Sequence, residues 1–443
     1  MNIEIISLLV LLSILLVVLL TSVTKLNAFA ALFSVSLVLA LVALPEKNTV
    51  DILKQGFGGT ISSIGFLILF GAIIAVVLEK SAAAASIASH ILARVGRSRA
   101  ATAMGITGYL VGLPIFCDSG YIILSGLAKS FSSKARIALP VVAFVLATSL
   151  YAVHNLTPTH PGALAASGIM EAHLGMLILL GALFAIPASA AAHLWIRWQM
   201  GAQPVAEEMP AESGHDDDSP PLPPLFLSLL PIVVPLLLIA LGSLLEVLQP
   251  AGGGRFIRAL SFLGQPVVAL LAGVLLSFLL LRDRSMKEIN SLLESAIEKA
   301  GPILIVTGAG GMFGLVIRET GAGAYAGEHL LQTGLGLAIP FLIAAVLKTA
   351  QGSSTVAIIT AASLVAPMLP ALGLASDMGR VLTMLAMGSG SMLVSHANDS
   401  YFWVVSRFSG IDSGTTLKVY TSATVVMGAA TFLCVWLVSF FLL

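Results

Sequence analysis

The residues best placed to do chemistry are Asp118 and Lys348, two ionisable side chains set in the middle of otherwise apolar stretches, 99–131 and 335–369. An ammonium in such surroundings attracts an anion. A carboxyl there is suited to carrying a proton, since burial favours its neutral form and a nearby cation its charged form. The blander alternative is a structural ion pair between the two. Around them, Asp118-Ser119-Gly120 and Gly352-Ser353-Ser354-Thr355 gather hydroxyls, glycine and a helix start, which can hold a carboxylate through side-chain O–H and free backbone N–H groups. The same hydroxyls could instead only satisfy locally unwound backbone.

A second pair of polar clusters follows downstream in each half of the chain. One contains His154, Asn155, Thr157 and His160; the other contains Ser395, His396, Asn398 and Asp399. A single histidine in apolar sequence is more often a hydrogen-bonded packing residue, but the matching placement of His154 and His396 argues for a site. Ser, Thr, Asn and freed carbonyls at the break tips could bind sodium, but the titratable Asp118, His154, His396 and Asp399 favour a proton as the coupling ion. No metal or cofactor is expected. Cys117 and Cys434 lie far apart in apolar context, and in the run from Thr307 to Gly314 Phe313 stands where a dinucleotide loop needs its third glycine.

The elements that must hold these residues are membrane helices. Of 443 residues 58% are apolar and 10% charged, and the mean hydropathy is +1.02. Runs such as 61–78, 174–194 and 419–443 are long enough to cross about 30 Å of hydrocarbon, where backbone groups must pair internally. The first run, 3–20, has no basic n-region and no small-residue cleavage site, so it reads as a retained span. With zero net charge and basic residues dispersed at the ends of the runs, nucleic acid is not an expected partner.

One long hydrophilic stretch, 199–224, carries six acidic residues and several prolines, and reads as a disordered linker between a first repeat, 1–198, and a second, 225–443. Local matches support a duplication. Gly71, Ala75 and Leu78 correspond to Gly310, Gly314 and Ile317; Asp118-Ser119 to Ser353-Ser354; Ser149, Leu150 and His154 to Ser391, Met392 and His396, all at nearly constant spacing. Each half then comprises about five spans, one re-entrant hairpin (99–131 and 335–369) and one broken helix (135–170 and 377–412). An odd number of crossings inverts the second repeat relative to the first. With both termini outside and the acidic linker in the cytoplasm, most of the 22 Lys and Arg fall inside, including Arg94, Arg99, Arg136, Arg282 and Lys287. Gly71 and Ala75 with Gly310 and Gly314 read as small-residue helix contacts, and Glu79, Arg318 and Glu319 as charges snorkelling from span ends.

The breaks carry a family likeness. The segment 154–162 with its His-Pro-Gly ending, Gly352-Ser353-Ser354-Thr355-Val356-Ala357, and Gly388-Ser389-Gly390-Ser391 running into Ser395-His396-Ala397-Asn398-Asp399 resemble the gluconate permease (GntP) family over essentially the whole chain. The resemblance implies proton-coupled uptake, across the bacterial inner membrane, of sugar acids or other small hydroxylated or amino-bearing carboxylates, including D-serine. Similarity to the wider ion transporter superfamily implies a homodimer working by an elevator movement. Asp118, Lys348, Asn155, Thr159, Ser400 and Tyr401 depart from the usual residues of the gluconate pattern, so a shorter acid such as glycerate is also in view. Three classes of function compete: a proton-driven symporter, with sodium coupling as its variant; a channel, which would need rings of polar residues along a pore; and an intramembrane serine hydrolase using Ser391 or Ser354 with His396, which lacks a nucleophile elbow.

Overall fold

The computed structural model describes residues 2–24, 26–96, 99–201, 222–248, 255–322, 325, 334–397 and 399–443. The acidic linker falls almost wholly outside them, as does Asn398. Among the described residues the chain is all-helical, as lipid exposure of its backbone would require. Six helices are long and apolar enough to cross a membrane, and a seventh crossing results if two helices bent by 70° (Ile257–Leu263 and Pro266–Leu280) count as one span. Shorter apolar helices supply the rest of the layer.

Two groups of helices pack internally. The first contains α1 (Ile3–Ser22), α2 (Ala28–Ala43), α3 (Thr49–Lys80), α10 (Leu225–Leu248), α11 (Arg255–Leu263), α12 (Pro266–Ser277) and α13 (Met286–Thr320). Its centre is the antiparallel crossing of α3 and α13, with 32 and 35 residues. At about 1.5 Å per residue each far exceeds about 30 Å of hydrocarbon, so both must tilt. Glycine lets their backbones meet: a Cβ on Gly56 would lie 2.7 Å from Met312 Cα, and one on Gly311 would lie 1.8 Å from Thr60 Oγ1. The ends are tied by Lys47 to Glu319 at 2.6 Å and by Lys299 to Glu79 at 2.8 Å. Glu79 and Glu319 are therefore ion-paired across helices and do not simply snorkel. The expected small-residue contacts also do something else. Gly310 and Gly314 admit Ile359 and Ser363 of a different helix, and Gly71 faces the carbonyl of Thr159.

The second group holds four interrupted helices. Helices α5 (Ala100–Gly112) and α6 (Cys117–Ala135) are separated at 113–116, where Pro114 cannot continue the helix; this is one turn earlier than the polar residues suggested. Then α7 (Leu139–Leu156) and α8 (Pro161–Ile169) are broken at 157–160, and α9 (Leu174–Met200) follows after α8. In the second half α14 (Ala338–Gln351) and α15 (Ser354–Val365) are separated by Gly352-Ser353, and α16 (Asp377–Ser391) and α17 (Ser400–Ser409) by 392–399. The chain ends with α18 (Ser413–Leu442), whose first part, Thr416–Thr421, is a π-helix. The two groups meet where α8 packs on α3 and α15 on α13, and α4 (Ala83–Val95) lies between α5 and α10.

The crossing of α3 and α13 should tolerate no added volume at its centre. Gly56→Ala is expected to lower the unfolding temperature of the detergent-purified protein, overpacking costing about 1–3 kcal/mol. Gly301→Ala, on the same pair but facing open space, should be neutral or stabilising by up to about 1 kcal/mol. Equal behaviour of the two variants in a thermal-shift assay would contradict the crossing.

Candidate functional site

Lys348 and Asp399 meet beside the interruptions between α14 and α15 and between α16 and α17. Lys348 lies in the last turn of α14, before Gly352, whose φ of +83° turns the chain and whose N–H donates to the Lys348 carbonyl at 2.8 Å. That turn buries the whole side chain, with 0% exposure. Its ammonium donates to Asp399 Oδ2 at 2.8 Å, so the partner of Lys348 is Asp399 and not Asp118. Asp399 is held from several sides. It caps α17, its Oδ1 accepting from Tyr401 N at 3.0 Å, while Oδ2 also accepts from Ser395 Oγ at 2.5 Å and, at longer range, from the Tyr151 hydroxyl at 3.4 Å.

Ser395 is fixed in turn by the start of α18. Its N–H donates to Thr424 Oγ1 at 3.1 Å, its carbonyl accepts from Thr421 Oγ1 at 2.5 Å, and its hydroxyl lies 3.3 Å from that of Tyr420. Tyr420 and Thr421 belong to the π-helix, an irregularity often found beside functional sites. The residue before Ser395, Val394, sits at φ +48°, strained for a β-branched side chain. Tyrosines wrap the ion pair: Tyr151 stacks on Tyr401 at 5.4 Å, Tyr401 meets Tyr121 and Tyr420 edge-on, and Ser354 lies against the Tyr151 hydroxyl. The Tyr121 hydroxyl bonds that of Ser409.

Asp118 stands in the first turn of α6, with Cys117 buried beside it, close enough to Asp399 for their charges to interact. Its Oδ1 is shielded from solvent and has no hydrogen-bond partner. Of the other expected residues, Asn155 bridges the halves, accepting from Ser391 Oγ at 3.0 Å and donating to the Tyr151 carbonyl at 2.8 Å. His154 is buried within range of the Asp399 charge, and its ring lies 4.8 Å from that of His160. His160 Nε2 donates to the Gly112 carbonyl at 2.6 Å, linking the second break of this half to the first.

Several expectations fall away from this centre. Thr157 bonds its own helix at Val153 O, and Ser353 is an exposed cap for Val356 N. His396 is half-exposed, its Nε2 at 3.3 Å from the Thr349 carbonyl, so it does not mirror the buried His154. Gly120 packs against Leu150, and the buried Gly352 and the half-buried Ser119 and Thr355 flank the tips. Sequence reasoning missed Tyr151, Tyr420, Thr421 and Thr424. The available signal was that the chain has only 6 tyrosines, most of them next to the polar breaks.

A buried pair stripped of one partner leaves an uncompensated charge, at a cost of about 3–5 kcal/mol. Lys348→Met should therefore destabilise the purified protein strongly, and Lys348→Met/Asp399→Asn should recover part of the loss, with a coupling of about 1–3 kcal/mol. Additive losses in the thermal unfolding of the four proteins would contradict a direct pair.

Comparison with known proteins agrees with this architecture. The chain is similar to the inner membrane permease YgbN of Escherichia coli (31% identical, 94% of each chain covered) and to the high-affinity gluconate transporter of the same organism (31%, covering 90% of this chain and 91% of the other). It is also similar to the D-serine transporter of Escherichia coli (28%, 97% of each covered). Among solved structures, the YdaH transporter of Alcanivorax borkumensis superposes with a TM-score of 0.64 at 17% identity over 89% of each chain, a likeness of fold. The GntP family permease model matches residues 5–441. A permease moves its ligand without cleaving it, so Ser391 and Ser354 have no role as hydrolase nucleophiles. With both the family model and these relatives spanning nearly the whole length, the chain belongs to the GntP family of permeases.

Proposed function

We propose that this permease is a secondary active transporter of the bacterial inner membrane that takes up gluconate or a related small hydroxy-carboxylate together with a proton. The observation that carries the reading is Lys348: a fully buried ammonium at a helix break, the one kind of group that a water-soluble anion needs in order to leave water. Asp399 pairs with that cation, and a second carboxyl, the part-buried Asp118, lies within range of the Asp399 charge; an excess of acid over cation at one centre calls for a coupling cation. The orphaned Oδ1 of Asp118 suits a proton that enters and leaves there. Hydroxyls of Ser354, Ser395 and Tyr151 offer partners for a hydroxylated substrate. The gluconate transporter among the relatives supports the same substrate class.

In this reading the helix pairs broken at 113–116 and 157–160, and at 352–353 and 392–399, are counterparts in two inverted repeats, 1–198 and 225–443. The group around α3 and α13 is the frame and dimer surface, and the group around Lys348 is the part that moves, as an elevator. Both termini lie outside and 199–224 lies in the cytoplasm. A second reading has one observation in its favour: Asp118 Oδ1, shielded and without a hydrogen-bond partner, could receive an ammonium, as a D-serine substrate would require.

Proteoliposomes given labelled gluconate, glycerate and D-serine under an imposed proton or sodium gradient test the proposal. Accumulation of an acid driven by protons is expected; accumulation driven by sodium alone would refute the coupling ion. Asp118→Asn should abolish concentrative uptake while leaving exchange of labelled for unlabelled acid partly intact, and equal loss of both would assign Asp118 to binding or folding. Lys348→Ala, where it folds, should raise the apparent substrate constant at least tenfold.

A further inference from the structure

Lys348 is already occupied in this structure. Its ammonium is fully buried against Asp399, whose two oxygens accept from Lys348 Nζ, Ser395 Oγ, Tyr151 OH and Tyr401 N. A substrate carboxylate arriving at Lys348 must therefore compete with an anion that is tethered in place and well solvated by protein groups. The groups that face Asp399 are Lys348 from α14, Tyr151 and His154 from α7, Cys117 and Asp118 from α6, Tyr401 from α17 and Tyr420 from α18. Among these described residues Lys348 is the only permanent cation. It cannot neutralise Asp399 and a substrate together.

We infer that Asp399 is a built-in surrogate for the substrate: it holds Lys348 in the empty carrier and yields to the substrate's carboxylate by taking up the transported proton. The inference rests on the carboxylate reading proposed above. Charge accounts for the exchange. In the empty site Lys348⁺ faces Asp399⁻; in the loaded site Lys348⁺ faces the substrate's carboxylate and Asp399 is neutral; Asp118, whose shielded Oδ1 has no donor to stabilise a charge, stays neutral in both. Each state carries no net charge, so each can cross a region of low dielectric, whereas a bare Lys348 could not.

The atoms needed for the switch are in place. Lys348 keeps its three protons and redirects one N–H from Asp399 Oδ2 to the substrate oxygen. The new Asp399 O–H needs an acceptor, and Ser395 supplies one by turning its hydroxyl toward Tyr420, 3.3 Å away. Tyr401 N can stay on Oδ1. Asp399 also follows the non-helical stretch 392–397, which includes the strained Val394. Asp118, the neighbouring acid, is then the route by which the proton reaches and leaves Asp399.

The test is calorimetric titration of the detergent-purified protein with gluconate and with glycerate, in two buffers of different ionisation enthalpy. Wild type should take up close to one proton per acid bound near neutral pH, with affinity falling about tenfold per pH unit, the slope of binding linked to uptake of one proton. Asp399→Asn should bind with no proton uptake, with affinity flat in pH and at least tenfold tighter than wild type at the alkaline end. Asp118→Asn should keep the one-proton uptake. A wild-type count of zero, or a count that disappears in Asp118→Asn but survives in Asp399→Asn, overturns the inference and leaves the hydroxy-acid reading standing. If Asp399→Asn does not fold, the wild-type and Asp118→Asn counts decide alone. Binding of neither acid to folded wild type overturns the hydroxy-acid reading, and this inference with it.

Discussion

The buried ion pair between Lys348 and Asp399 is the interaction on which the rest of the arrangement depends. An ammonium with no exposed surface in an apolar helical protein has to be compensated on the spot, at 2.8 Å, and its carboxylate has to be compensated by further donors. Those requirements recruit one residue after another. Ser395 is needed for Asp399, the π-helix and Thr424 are needed for Ser395, and Tyr151 links the pair to the first half of the chain. Interrupted helices follow from the same need, because only a helix end or an unwound segment offers free N–H groups and turning carbonyls. Asp399 uses one such end directly, capping α17.

Close backbone approach is what brings the breaks together. Gly388 on α16 stands so near the Asn155 carbonyl that a Cβ would lie 2.6 Å from it, and Gly162 at the start of α8 brings that helix against Thr355 at the start of α15. These contacts join the two halves at the level of the ion pair. The crossing of α3 and α13 does the same for the other group of helices, with glycines at its centre and ion pairs toward its ends. Between the two groups run α8 on α3 and α15 on α13, the surfaces along which a movement of one group past the other would have to take place.

Much of this was readable from the residues. Composition and long apolar runs were enough for an all-helical membrane protein, and polar residues inside apolar stretches drew attention to segments where helices are interrupted. Asp399, Lys348, Asn155 and Ser395 stood out for the same reason. Pairing was not readable. Asp118 and Asp399 are both acids in breaks, and which of them reaches Lys348 depends on helix packing across the halves, a long-range property that spacing does not encode. Tyr151 and Tyr420 were missed because closeness to a polar break in the chain says little about where an aromatic ring points; the convergence of Tyr121, Tyr151, Tyr401 and Tyr420 in space gives them meaning. His154 and His396 illustrate the converse. Matched in sequence, they end in different surroundings, because α7 continues through His154 while α16 has already ended before His396.

The account's central claim is that the site is electrically neutral whenever it crosses the membrane. The most direct measurement is uptake of the labelled monovalent acid that accumulates in proteoliposomes, at fixed proton gradient, while a potassium diffusion potential is imposed in either direction. The account predicts the same initial rate at inside-positive, zero and inside-negative potential. A rate that rises when the interior is positive would mean that the anion crosses without its proton, and would contradict the exchange of Asp399 for substrate on Lys348.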